Sequence, residues 1–523
     1  VAEPKVSEPD GRTKHESADS LAAPGKSGWR GLAPVLLVAL FVFLVHLATN
    51  GRYGFHRDEL QVLDDARHLG WGFVPYPPFT PFVEWLSLHL FGTSLVGLRL
   101  ISALTQAAAL VLTSVIAREL GGGRLAQLMA ALAVAVSPLP LFEGTEFQYS
   151  SFDYLWWVAI AYCIVRLLNS GNPRWWLAVG AFVGLGLMTK YTMLFLIAGV
   201  LTAVVATPLR RYLASAWFWM GVAFALLIFL PNLLWQYQHH FVSLDFLHHI
   251  HARDVAQGRA DGFIRDQFLI CTSTAAAPLW VAGLAYVWFA KAGRHYRALG
   301  WMYLVPFLLF LISRGRGYYL AAAYPMLFAA GGVAYERWVA SLSTLWSRIV
   351  RVSAYVLLAA GGIVSAAIIL PLQPASSPKN IALRINGDLR EEIGWPELTA
   401  AVARVRDTLS PEDRARVGIV VGNYGEAGAI NLYGPAHGLP PVLSGTNTAW
   451  YRGYSSTPPQ TLIVVGFSQK EADFAFQSCR LAALNVIPFG IRNEESEAHR
   501  EIFLCRAPRK PWPAFWADFR RFG

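Results

Sequence analysis

Stretches of about 20 apolar residues recur along this chain from residue 32 to residue 372, and a helix of that length crosses the hydrocarbon core of a bilayer. Lipid offers no hydrogen-bond partners, so each run must satisfy its own backbone as a helix. Of 523 residues, 54% are hydrophobic and only 15% charged. The expected fold is a polytopic α-helical membrane protein.

Apolar patterning places helices at 32–49, 98–117, 125–142, 152–168, 175–189, 191–207, 216–235, 268–290, 299–312, 318–338 and 351–372, or about 11 spans. The formal charge of +10 comes largely from short segments between them: Arg210 and Arg211, Lys291 to Arg297, then Arg337, Arg348 and Arg351. Cytoplasmic loops carry such an excess, so the charge implies no nucleic-acid partner. With the N-terminus inside, the loops at 50–97, 143–151, 236–267 and 313–317 share the outer face, and the C-terminus lies outside.

Residues 1–28 mix both charge signs with Pro, Gly and Ser and read as a disordered cytoplasmic tail. The first apolar run lies too far from the start for a secretory signal and reads as a retained helix. The membrane domain then extends over 29–372. In the first outer loop, Pro77-Pro78-Phe79-Thr80-Pro81 followed by Phe82 to Phe91 predicts a turn and an amphipathic helix along the membrane surface, with Trp85 and His89 near the headgroups.

After Pro371 the apolar runs shorten to strand length. Val417 to Val421 and Thr461 to Val465 are β-branched runs of the kind buried in a parallel sheet. Residues 373–523 are thus expected to form a soluble extracytoplasmic α/β domain. Cys479 and Cys505 both fall in it, where an oxidising compartment permits a disulfide that sequence alone does not establish. Cys163 and Cys271 lie in apolar runs and read as small core residues.

Chemistry concentrates on the outer face. His56-Arg57-Asp58-Glu59 follows the first helix, and a desolvated acidic pair is costly unless paired or functional. Glu143, Glu146 and Asp153 surround the second outer loop, Lys190 sits at an outer turn, and Arg314 and Arg316 precede Tyr318-Tyr319. Transfer of a sugar from a polyprenyl phosphate needs such a set. Phosphate is already a good leaving group, so one carboxylate to deprotonate the acceptor and fixed positive charge for the departing anion suffice.

The patterns Phe55-His56-Arg57-Asp58-Glu59-Leu60, Ala66-Arg67-His68-Leu69 and Pro77-Pro78-Phe79-Thr80-Pro81 resemble the protein O-mannosyltransferase-like branch of the GT-C glycosyltransferases, which includes the lipid A aminoarabinose transferases. Ser151-Phe152-Asp153, Gly184 to Tyr191, Pro231 to Gln236, Tyr318-Tyr319-Leu320 and Ala323-Tyr324-Pro325 extend the resemblance across residues 30–372. Asn423-Tyr424-Gly425-Glu426-Ala427-Gly428 looks like a segment of bacterial members carrying an outer domain.

The resemblance implies a GT-C fold, with Asp58 as catalytic base and Glu59 supporting it. Asp153 would bind acceptor or sugar, Lys190 and Arg316 would face the donor phosphate, and Glu146, Arg314 and Tyr319 complete the substrate-binding candidates. Tyr76 stands where the aminoarabinose transferases have a phosphate-contacting lysine. It supplies no charge, so that role passes to Lys190 and the arginines, or the donor sits differently.

The donor implied is a membrane lipid-linked sugar, the acceptor a protein, lipid A or another envelope glycan, and the location a bacterial-type inner membrane. No cofactor is assigned, and a divalent metal remains an open requirement. His239, His240, His248, His249 and His251 have too few carboxylates nearby to assign a metal site. Asn423 to Gly428 lacks phosphate-loop spacing and reads as a flexible turn. A lipid or lipid-linked sugar transporter stays open as an alternative, although no paired helix breaks suggest an inverted repeat. A non-catalytic envelope scaffold is a weaker third reading.

Overall fold

The computed structural model describes residues 31–498 and 500–523; the tail expected at 1–28 lies outside the described residues. The membrane half begins with α1 (Ala33–Thr49), α2 (Arg57–Ala66), α3 (Phe79–Phe91), α4 (Leu95–Glu119), α5 (Arg124–Ala135) and α6 (Pro138–Glu143). It continues with α7 (Tyr149–Ser170), α8 (Trp175–Leu187), α9 (Met193–Ala206), α10 (Ala216–Gln238), α11 (Val242–Ala256) and α12 (Phe263–Asp266). Then come α13 (Ala277–Phe289), α14 (Arg297–Ile312), α15 (Tyr324–Ala340) and α16 (Thr344–Ile369).

Each of the eleven expected segments contains helix. Among the described residues, five helices are long and apolar enough to cross a membrane in one piece, or six if the bent pair Met193–Ala206 and Pro208–Ala214 is one span. The others are shortened by breaks. The run expected at 125–142 divides between α5 and α6 at Ser137-Pro138, since proline cannot continue the helical ladder. The run at 268–290 opens with a π-helical turn, Gln267–Cys271, and resumes as α13.

Helices α13 and α15 pack closely because Gly283 and Gly331 face each other's backbone. A Cβ on Gly283 would collide with the Leu327 carbonyl, and one on Gly331 with that of Leu279. Small residues permit this approach where lipid gives helices no hydrophobic incentive to associate. Glu336, near the end of α15, accepts from the amides of Leu125 and Ala126 at 3.1 and 3.3 Å and so caps the start of α5.

Helix α3 forms where the first outer loop predicted it, with an inverted polarity. Phe82, Trp85, Leu86, Leu90 and Phe91 are exposed, whereas Thr80, Glu84 and Ser87 are buried. An apolar outer face over a polar inner one suits a helix lying against lipid.

The C-terminal part contains α17 (Ile381–Ile385), α18 (Trp395–Asp407), α19 (Pro411–Arg416) and α20 (Tyr424–Tyr433). Its strands are β1 (Gly418–Val421), β2 (Leu443–Ser444), β3 (Thr461–Val465), β4 (Phe476–Leu484) and β5 (Glu501–Pro508), in the order β2-β1-β3-β5-β4. β1 pairs parallel with β2 and β3, as their β-branched runs predict, and both β1 and β3 are wholly buried. β5 runs antiparallel to β3 and β4, so the sheet is mixed rather than parallel. Cys479 and Cys505 form a disulfide joining β4 to β5.

The C-terminal part packs on the 50–97 and 236–267 loops. Arg452 pairs with Asp64 and, at 2.9 Å, with Asp65 of α2. The Thr448 hydroxyl accepts from the Val74 amide at 2.9 Å, and Tyr451 packs edge-on to His239 at 5.1 Å.

Candidate active site

Helix α2 starts in a way that sends its two acidic residues apart. His56 is extended, its Nδ1 accepts from the Asp58 amide at 3.3 Å, and Glu59 Oε2 accepts from the His56 amide at 2.8 Å. This reciprocal cap satisfies amides the first turn leaves unpaired. Consecutive helical residues point about 100° apart, so Asp58 and Glu59 face different surroundings.

Glu59 turns inward and its side chain is wholly buried. Oε1 accepts from Arg99 Nε and the Phe147 amide, both at 2.8 Å, while Oε2 accepts from Arg99 Nη2 at 2.7 Å and from His56. Arg99 also donates to the carbonyls of Asn50 and Gly54 at 3.2 and 3.0 Å, and its Nη2 lies 3.2 Å from Glu392 of the C-terminal part. Grouped with Asp58 by sequence, Glu59 has no exposed surface; it holds the floor of the site.

Asp58 turns outward and keeps 35% of its side chain exposed. Its Oδ1 accepts from the Tyr424 hydroxyl at 2.8 Å, and its Oδ2 lies 4.0 Å from His56 Nδ1. Tyr424 belongs to α20, so the C-terminal part reaches this carboxylate directly. Burial is the largest influence on the Tyr424 phenol and raises its pKa, which keeps it a proton donor.

Tyr149 lies within electrostatic reach of both Asp58 and Arg316. Its ring also forms one wall of a cage around Lys190, whose Nζ sits 5.0 Å from Tyr149, 4.6 Å from Tyr319 and 5.8 Å from Tyr318. Cation–π attraction holds the ammonium in place without neutralising it. Lys190 makes no ion pair among the described residues, although Glu143 and Asp153 lie within its electrostatic reach.

The other candidates divide. Glu146 is buried beside His56, with Oε2 3.6 Å from Nδ1. Burial, then Asp388, Glu392 and Glu59, hold its carboxyl well above the ordinary range. Helix α7 begins at Tyr149 with Gln148 as its cap, so Asp153 is not a capping residue. It is buried one turn inside, with Trp157 and Lys190 beside its carboxylate.

Arg316 is committed to Asp254 through two 2.6 Å hydrogen bonds. Arg314 does not join the cluster: it is exposed and pairs with Asp261 at 3.3 Å. Tyr76 donates to Asp65 at 2.8 Å and packs 5.9 Å from Tyr149, so it fills a wall of the site.

Sequence reasoning missed Arg99, Tyr149 and Tyr424. An arginine inside an apolar run demands a partner, and that signal was present at Arg99. Asn423 to Gly428 is not a turn. Asn423 caps α20, and Gly425 and Gly428 bring that helix close to α2: a Cβ on Gly428 would meet the Leu60 carbonyl. Among the described residues, no three His, Cys, Asp or Glu side chains cluster to hold a metal ion. His239 instead stacks on Trp235 at 4.0 Å, and His249 packs against Phe522.

Residues 75–235 match the family described as dolichyl-phosphate-mannose-protein mannosyltransferase. The undecaprenyl phosphate-alpha-4-amino-4-deoxy-L-arabinose arabinosyl transferase 1 of Pseudomonas fluorescens is 26% identical over 343 residues, covering 60% of this chain and 62% of the relative. The lipopolysaccharide core galacturonosyltransferase RgtB of Rhizobium johnstonii is 26% identical over 202 residues, 38% of this chain and 41% of the relative. The chain thus spans less than two thirds of these curated relatives. Crystal structures of ArnT from Cupriavidus metallidurans share the fold at 16% identity. The apo state superposes with a TM-score of 0.58 over 91% of this chain and 98% of that one. The structure bound to undecaprenyl phosphate gives 0.55 over 92% and 99%. By the family match, these relatives and the shared fold, the chain is similar to the GT-C glycosyltransferases of the protein O-mannosyltransferase and lipid A aminoarabinose transferase branch.

Proposed function

We propose that this protein is a multi-pass inner-membrane, inverting glycosyltransferase that moves a sugar from a polyprenyl-phosphate donor to a protein, lipid A or glycan acceptor on the extracytoplasmic face. The observation that carries the reading is the juxtaposition around Tyr149. An accessible carboxylate, Asp58, lies within electrostatic reach of Tyr149, and a cation without an ion-pair partner among the described residues, Lys190, sits 5.0 Å from the Tyr149 ring.

Asp58 takes the proton of the acceptor hydroxyl or amine, whose heteroatom bonds to the anomeric carbon from the face opposite the phosphate. The anomeric C–O bond breaks with its electron pair going to the phosphate, and polyprenyl phosphate leaves with one more negative charge than the donor carried. Lys190 stabilises that gained charge. Asp58 then returns its proton to water.

The matched relatives are named for undecaprenyl-phosphate-linked and lipopolysaccharide sugar transfer, which supports the donor class. The extracytoplasmic placement is supported by the positive-inside distribution of loops and by the Cys479–Cys505 disulfide. Domain limits of 29–372 and 373–523, and about 11 spans, belong to the same proposal.

The test is release of free polyprenyl phosphate from a panel of polyprenyl-phosphate sugars by the purified protein in detergent. Release by the native chain and its loss in Asp58→Asn, with donor binding retained, is the expected result. No release from any donor, with lipid binding unchanged by the substitution, would favour transport or a scaffold instead.

A further inference from the structure

Helix α20 is built to approach α2 closely. Gly425 lies against Arg57 and Trp395, and Gly428 lies against the Leu60 carbonyl; a side chain at either would separate the helices. The Asn423–Glu426 capping box fixes the start of α20 and so the direction of Tyr424 at its first position. Arg57 covers the Tyr424 ring at 4.8 Å and is itself paired with Glu494. One tyrosine is therefore oriented by contacts from both halves, and its hydroxyl ends 2.8 Å from Asp58 Oδ1.

We propose, resting on the assignment of Asp58 as base, that the soluble domain completes the active site: Tyr424 is a positioning residue that holds Asp58 Oδ1 and leaves Oδ2 for the acceptor proton. The domain is then a component of the catalytic centre rather than only a platform for the acceptor. Its docking contacts, Arg452 on Asp64 and Asp65 and Glu494 on Arg57, bring this hydroxyl into place.

A neutral donor to a carboxylate favours the ionised form and fixes the carboxylate's rotation. Among the described residues, Asp58 also faces His56 at the cap of its own helix, Tyr76 of the following loop and Tyr149 of α7. None of them donates a hydrogen bond to Asp58.

The experiment compares native protein with Tyr424→Phe, which removes one oxygen and keeps the packed ring. In the release assay, kcat should fall about tenfold, the size expected for losing a hydrogen bond to a charged group. KM for the donor should stay within about twofold, and the acidic limb of the pH–rate profile should move upward. Independently of turnover, carbodiimide labelling of Asp58, followed by mass spectrometry across pH, should show a higher titration midpoint in Tyr424→Phe.

An unmoved labelling midpoint overturns the proposal, and so does native kcat with an unshifted profile. The base assignment fails separately: Asp58→Asn would retain turnover, whatever Tyr424→Phe does. If no donor in the panel turns over, the labelling midpoint alone decides.

Discussion

Asp58 and Glu59 are neighbours in one helical turn with opposite fates. The Glu59 side is closed: four hydrogen bonds from Arg99, His56 and Phe147, no exposed surface, and a second carboxylate from Glu392 on the same guanidinium. The Asp58 side is open: one hydrogen bond, from a tyrosine 366 residues away, and a third of the side chain exposed. A carboxylate whose acceptor positions are all filled is structural, whereas one held by a single neutral donor remains free to take a proton. The difference comes from the 100° step between successive helical residues and from which neighbour each direction meets.

The largest effect should come from breaking the closed side. Arg99→Met removes the cation that Glu59 and Glu392 share and strands two buried carboxylates, which is expected to cost about 3–5 kcal/mol. A markedly lower thermal aggregation midpoint in detergent is the readout. Asp58→Asn should leave that midpoint almost unchanged.

On the open side, Lys190→Met keeps most of the packing within the tyrosine cage and removes its charge. Release of polyprenyl phosphate should fall by about 10- to 100-fold, corresponding to about 1.4–2.7 kcal/mol of lost anion stabilisation. Rates within twofold of native would move the phosphate role to another cation, such as Arg316, which lies within electrostatic reach of Tyr149.

A smaller, pH-dependent effect belongs to the docking contact. Asp64 and Asp65 share Arg452, and burial pushes Asp65 from 3.8 to about 7, with Arg452 opposing the rise. The folded chain keeps this proton where the unfolded chain has lost it, so stability should decline as pH rises from about 3.8 toward 7 and level off above. Asp65→Asn should flatten that decline in thermal unfolding followed across pH. An unchanged slope would show that other groups set it.

The membrane half was largely legible because apolar runs are long and lipid forces them into helices. Its interruptions were less so: Pro138 was visible, but the π-turn at Gln267–Cys271 depends on packing around Gly317, whose carbonyl accepts from Gln267 at 3.1 Å. Asp58 and Glu59 were visible as a pair, yet their division of labour depends on Arg99, 40 residues further along. Tyr424 lies 366 residues from Asp58, and no local pattern records such a contact. The mixed sheet escaped for a similar reason, since the direction of β5 is set by partners rather than by its own residues.

The central claim is that the open and closed carboxylates are a base and a support. It is tested most directly by measuring polyprenyl phosphate release and thermal stability side by side for Asp58→Asn and Glu59→Gln. The account predicts that Asp58→Asn loses turnover by about 100-fold or more while keeping native stability. Glu59→Gln should lose stability and, when folded at low temperature, retain most of its turnover. A Glu59→Gln protein that is stable but inactive, beside an active Asp58→Asn protein, would contradict it.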